Sequence, residues 1–157
     1  MHRDANIGDL DFIYDLIMNG AKQGFFNRKF QQLPAAAHGL RLEISLILES
    51  RIRPNGLKAS GIIYEHKGQP IGFVLMSAGE KNKGNELWMV AIHKDFQKKG
   101  YGKKMVQGVL DKFKGLNLML FARCSPESEK MYQLLLKNGF AHVETSEEGY
   151  RGMIYEL

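Results

Sequence analysis

The sequence predicts a mixed α/β domain built on one central sheet that combines antiparallel and parallel pairing. Two β-rich runs joined by a short polar turn give an antiparallel pair. A run that is almost wholly apolar after its first residue, Glu86 to Ile92, reads as a central strand covered on both faces. That run leads into an amphipathic helix and then another strand, which makes a β-α-β unit.

Each element has a local reason. After a short extended start, Asp9 is placed to cap a helix carrying Leu10, Ile13, Leu16 and Ile17 on one face, with a stop near Asn19 and Gly20. A second helix is read from Gly39 to Ser50, where Leu40, Ile44, Ile47 and Leu48 align. Between them Phe25, Phe26 and Phe30 lie in a polar stretch without a period, and their rings fit a core or a pocket. The runs Leu57 to Tyr64 and Pro70 to Ala78 flank the turn His66, Lys67, Gly68, Gln69. From Gly100 to Lys114, Met105, Val106, Val109, Leu110 and Phe113 recur at helical spacing, and a strand follows from Leu116 to about Ala122. Ser125 and Pro126 read as the cap and first residue of a last helix, which Gly139 ends. Phe140 to Thr145 and Tyr150 to Leu157 form a closing hairpin. No repeat or linker interrupts this order, so residues 1–157 are expected to form one domain.

Composition narrows the function classes. With 44% hydrophobic and 25% charged residues the chain can bury a core and is not a disordered tail. It has no apolar run of about 20 residues and no basic-then-apolar start, so a cytoplasmic protein without a membrane partner is expected. The single Cys124 excludes an internal disulfide, and the five histidines lack metal-ligand spacing, so no metal is expected. The net charge of +5 is local: between His93 and Lys114 there are seven lysines against two aspartates, an excess equal to that of the whole chain. Such a patch suits a compact polyanion such as a nucleotide diphosphate, or is simply a solvated lysine face, and it argues against a nucleic-acid track.

The most informative segment is Gln97, Lys98, Lys99, Gly100, Tyr101, Gly102, between the apolar strand and the amphipathic helix. Glycines at such a junction let the chain turn tightly, so that successive N–H groups and a helix N-terminus converge on one anion. The Gly-Lys-Ser/Thr ending of a Walker loop is missing, as is the third glycine of the dinucleotide fingerprint.

Gln97 to Gly102 resembles the Gln/Arg-x-x-Gly-x-Gly/Ala motif of the GCN5-related N-acetyltransferase (GNAT) superfamily, which binds the acetyl-CoA pyrophosphate. Val90 to Phe96 is similar to the family's strand and bend, with Lys94 in place of its common proline, and Asn138, Gly139 and Phe140 resemble its helix exit. The order of elements agrees along nearly the full chain. The resemblance implies a largely antiparallel sheet of six or seven strands with about four helices, splayed at the cofactor. It further implies that the backbone of Val90, Ala91 and Ile92 bonds the pantetheine arm. The amides from Gln97 to Lys103 would hold the pyrophosphate, with Lys98, Lys99, Lys103 or Lys104 adding charge. Ser128, where the family often has asparagine, joins this cofactor set, and Met131 stands where alanine is common.

Acetylating an amine requires a neutral nucleophile, whereas an alkylamine with a pKa near 10.4 is protonated at neutral pH, so a base is wanted. Glu86, six residues before Ile92, has a spacing that resembles the catalytic glutamate of the histone-acetyltransferase branch; its other reading is a solvated strand end. Trp88, on the same face by period-two counting, reads as core. The family's usual acid is a tyrosine four residues before Gly-Phe, and here that position is Leu135. Tyr132 shares roughly its face and is the candidate acid, with Tyr150, Tyr155 or water as substitutes. Cys124 reads as a buried, inert thiol.

The resulting expectation is an acetyl-CoA-dependent N-acetyltransferase acting on a small-molecule or protein amine, as monomer or homodimer. A catalytically weak acyl-CoA-binding regulator is the alternative, favoured by Leu135.

Overall fold

The computed structural model describes residues 1–79, 84–116 and 119–156. Its strands are β1 (His2–Asp4), β2 (Ala59–His66), β3 (Gln69–Ala78), β4 (Asn85–Ile92), β5 (Met119–Cys124), β6 (Ala141–Thr145) and β7 (Arg151–Glu156). Its helices are α1 (Leu10–Lys22), α2 (Lys29–Gln32), α3 (Pro34–Ser50), α4 (Tyr101–Phe113) and α5 (Glu129–Lys137). The sheet runs β1-β2-β3-β4-β5-β7-β6, antiparallel throughout except for the parallel β4 and β5. This is the mixed, largely antiparallel architecture expected, with one more helix. Residues 117–118 of the strand expected from Leu116, and Leu157 of the last one, lie outside the described residues.

Two apolar clusters cover the two faces of the sheet. On one side α4 and α5 bury Met105, Val106, Val109, Leu110 and Leu135 against Ile71, Val74 and Leu120. On the other, α1 and α3 bury Ile13, Ile17, Leu40 and Ile44 against Ile63, Phe73 and Leu75. Each such aliphatic or aromatic side chain contributes roughly 1.5–3 kcal/mol on burial. The central strand feeds both clusters, Leu87 the first and Met89 the second. That split breaks the period of two, and the cause is a bulge: Leu75 pairs with Met89 while its neighbour Met76 pairs with Leu87, leaving Trp88 unopposed.

Four departures from the sequence reading have a local cause. Asp9 makes no cap bond to α1. Asn6 instead caps a preceding 3-10 turn by accepting from the Gly8 amide, while the Asp9 carboxylate accepts from the Asn6 amide and from Arg3. α1 also runs through Gly20 to Lys22, because a Cβ at position 20 would lie 2.7 Å from the Phe26 ring and glycine is what lets that ring approach. α3 starts at Pro34 rather than Gly39, with proline in the first turn, where its missing N–H costs nothing. α5 starts at Glu129, three residues after Pro126, because the Ser125 hydroxyl donates to the Gly24 carbonyl at 2.8 Å instead of capping a helix. The exit is as read: Gly139 and Phe140 return their amides to the carbonyls of Leu136 and Leu135, a Schellman ending whose apolar contact, Leu135 with Phe140, lies in the first cluster.

Candidate active site

The pairing of β4 with β5 covers three positions, Asn85 with Leu120, Glu86 with Phe121 and Leu87 with Ala122. Beyond Leu87, β4 continues to Ile92 bonded to β3 alone, Val90 facing Val74, Ala91 facing Phe73 and Ile92 facing Gly72. The side of Val90, Ala91 and Ile92 turned to β5 therefore has no strand on it, and the sheet is splayed there. An extended polar chain can lie against such an edge as a strand does.

The edge leads into the glycine-containing turn. A 3-10 turn, Lys94–Phe96, follows β4, and the Gln97 side-chain amide donates back to the Ile92 carbonyl at 3.0 Å. Lys98 (φ 63°) and Gly100 (φ 83°) are both left-handed, which reverses the chain into α4. The consequence is a row of amides, Lys98, Lys99, Gly100, Tyr101, Gly102 and Lys103, none of which donates to another described group. A Cβ built on Gly100 meets no described atom within 4 Å beyond its chain neighbours, so open space lies beside Gly100. Row, helix N-terminus and lysines together fit a pyrophosphate. The Gln97 amide, expected in the same row, turns inward to the Lys94 carbonyl at 3.4 Å, so Gln97 braces the bend. Beneath the turn Phe96, Tyr101 and His66 pack as a ring cluster, with Tyr101 Oη 3.3 Å from His66 Nε2.

Ser128 is buried at the start of α5, its hydroxyl 2.7 Å from that of Ser125 and 3.4 Å from the Phe25 carbonyl. Tyr132 meets the closing hairpin: its hydroxyl lies 2.9 Å from His142 Nδ1 on β6, and the Arg151 guanidinium of β7 stacks 4.0 Å over its ring. Leu134, by contrast, faces α4 and lies 3.2 Å from a Cβ built on Gly102. Leu135 is 2% exposed in the first cluster. Tyr155 packs on Phe140. Cys124 is buried, and that burial pushes its thiol up to about 11, which suits the inert reading.

Glu86 holds one ion-pair partner among the described residues, Arg123 of β5, with Nε 3.1 Å from Oε1. Trp88 is half-buried against the second cluster, and its outer face is covered by the Arg53 guanidinium at 4.1 Å. Arg53 is itself held by Glu43 at 2.9 Å and Ser77 at 3.1 Å. Arg123 also lines an open cleft of about 330 Å³ with Glu144, Ser146, Glu148, Tyr150 and Gly152. Sequence reasoning missed Arg123 and the cleft glutamates. The alternation of β5, with Leu120, Ala122 and Cys124 buried, does place Phe121 and Arg123 on the opposite face, but their nearness to Glu86 depends on a parallel register that no local motif encodes.

A family model described as the acetyltransferase (GNAT) family matches residues 26–140 of the chain. Among solved structures, a spermidine N-acetyltransferase from Vibrio cholerae in complex with CoA and spermine superposes with a TM-score of 0.74 at 19% identity, over 99% of this chain and 94% of that one. An acetyltransferase from Thermus thermophilus gives 0.71 at 15% identity over 100% and 97% of the two chains. An IAA acetyltransferase from Bacillus cereus gives 0.67 at 14% over 100% and 99%. No curated protein matches the sequence significantly.

Proposed function

The chain belongs to the acetyltransferase (GNAT) family and is an enzyme of the N-acetyltransferase class, and on that premise we propose that it moves an acetyl group from acetyl-CoA directly to a primary amine on a cationic acceptor. One observation carries the reading: six consecutive amides, Lys98 to Lys103, without partners among the described residues, at the end of a strand whose neighbour has splayed away. The amides and the lysines hold the pyrophosphate, and the free edge of Val90 to Ile92 orients the pantetheine arm. Bound acetyl-CoA supplies the activated acyl carbon.

The chain's own residues then manage protons. Glu86 accepts a proton from the acceptor's ammonium, directly or through water, which frees the lone pair that forms the C–N bond as the C–S bond breaks. The nitrogen's second proton passes to water, and the sulfur would leave as thiolate, needing no full protonation at a pKa near 8.5. That suits a site in which Leu135 is core and the Tyr132 hydroxyl is bonded to His142. The cleft that Arg123, the partner of Glu86, lines with Glu144 and Glu148 favours a positively charged acceptor. The structurally similar Vibrio cholerae enzyme, solved with spermine, supports that class of acceptor.

Calorimetry with CoA, followed by turnover of acetyl-CoA against a panel of amines, tests the proposal. Binding with a raised melting temperature and turnover of a cationic amine is expected. Absence of heat and of any shift at millimolar CoA refutes it. The buried Leu135 favours one second reading, an acyl-CoA-binding regulator, and CoA binding without turnover of any amine would select it.

A further inference from the structure

The carboxylate assigned as base already carries a cation. Glu86 is largely shielded, with 19% of its side chain exposed, whereas Arg123 is 67% exposed and reaches Glu86 through Nε alone. A single-point contact from a solvated side chain is a weak pair, readily exchanged. On its other side Arg123 borders the cleft, where the carboxylates of Glu144 and Glu148 form no ion pair among the described residues. One guanidinium thus bonds one carboxylate and shares a cleft with two others that form no ion pair among the described residues.

We infer that Arg123 is a specificity-determining residue: its guanidinium holds the seat on Glu86 that the acceptor's ammonium takes, so acceptor capture is an exchange of one cation for another. Exchange nearly cancels the gain from the first ammonium. A monoamine merely replaces Arg123. A diamine also finds a carboxylate for its second charge, because the displaced guanidinium uses only one of Glu144 and Glu148. The site therefore selects acceptors with two or more cationic groups through an internal competitor. This inference rests on the acceptor site proposed above, and its test is separable from the test of that proposal.

Butylamine and 1,4-diaminobutane, which share a four-carbon chain and differ by one ammonium group, are titrated into the wild type and Arg123→Gln, each with and without CoA. The wild type should bind the diamine about tenfold more tightly, and Arg123→Gln should bind the monoamine about tenfold more tightly than the wild type does, which narrows the gap. Arg123 is exposed, so matching melting curves are expected to confirm an intact fold. Unchanged or weaker monoamine binding in Arg123→Gln overturns the inference. The CoA-free titrations read the seat alone, whereas CoA heats in the same samples report separately on the acetyl-CoA site.

Discussion

The Tyr132 hydroxyl lies 2.9 Å from Nδ1 of His142, whose Nε2 lies 2.8 Å from the Glu144 carbonyl. With Nε2 donating to that carbonyl, Nδ1 is the acceptor and the tyrosine proton is committed to the imidazole. The bond fastens α5 to β6. Tyr132→Phe should therefore cost about 1 kcal/mol of stability and leave kcat nearly unchanged. Thermal melts and steady-state rates check this; a large fall in kcat at an unchanged melting temperature would instead make Tyr132 the proton donor to the thiolate.

Gly100→Val should abolish measurable CoA binding while the protein still folds. The built Cβ clashes with nothing in the protein, but valine at φ 83° costs roughly 1–3 kcal/mol, and its methyls would occupy the space in front of the amide row. Calorimetry with CoA, beside a melting curve, reads both effects. Gly100→Ala should show an intermediate loss.

Glu86→Gln keeps the shape of the side chain and removes proton acceptance. It should lower kcat/KM at neutral pH by on the order of a hundredfold, with CoA affinity unchanged. An unaltered rate and pH profile with a competent acceptor would reduce this glutamate to a strand-end charge.

Acid stability should depend on Asp9. Its burial works to raise the carboxyl's pKa, but the two bonds from Arg3, at 2.8 Å each, and one from the Asn6 amide at 2.9 Å outweigh that and hold it below the ordinary range. A depressed carboxyl stabilises the fold above its unfolded value, near 3.9, and loses that contribution as the pH falls through the lower folded value. Asp9→Asn should be less stable than the wild type at neutral pH, and the gap should close below about pH 4. Denaturant melts from pH 7 to pH 2 give the comparison.

Periodicity made the middle of the chain legible. Met105, Val106, Val109 and Leu110 at helical spacing, and the apolar run ending at Ile92, are enough to place the β-α-β unit and, with the glycines between, the tight turn into α4. Residues 19–39 were opaque because their logic is tertiary: Gly20 reads as a stop until the Phe26 ring is laid against it, and no aligned apolar face carries α3 back from Gly39 to Pro34. The bulge at Trp88 is invisible for a related reason, since two apolar neighbours look alike whether they alternate or share a face. Glu86 could be named from its spacing to Ile92, but Arg123 could not, because contact across a parallel pair depends on where the β4-to-β5 crossover lands.

Three rungs at one end hold β4 to β5, and at the other end the loop after α1 grips the segment after β5 through Gly24 with Ser125 and through Arg28 with Glu127. The sheet is in effect two plates, one of four strands and one of three, joined along a short seam. Stiffness there cannot come from the backbone ladder, which stops at Leu87. A ligand with its own amides in the gap would supply the absent rungs, so occupancy would set the rigidity of the wedge as well as its contents, with local opening least costly along this line in the unfilled gap.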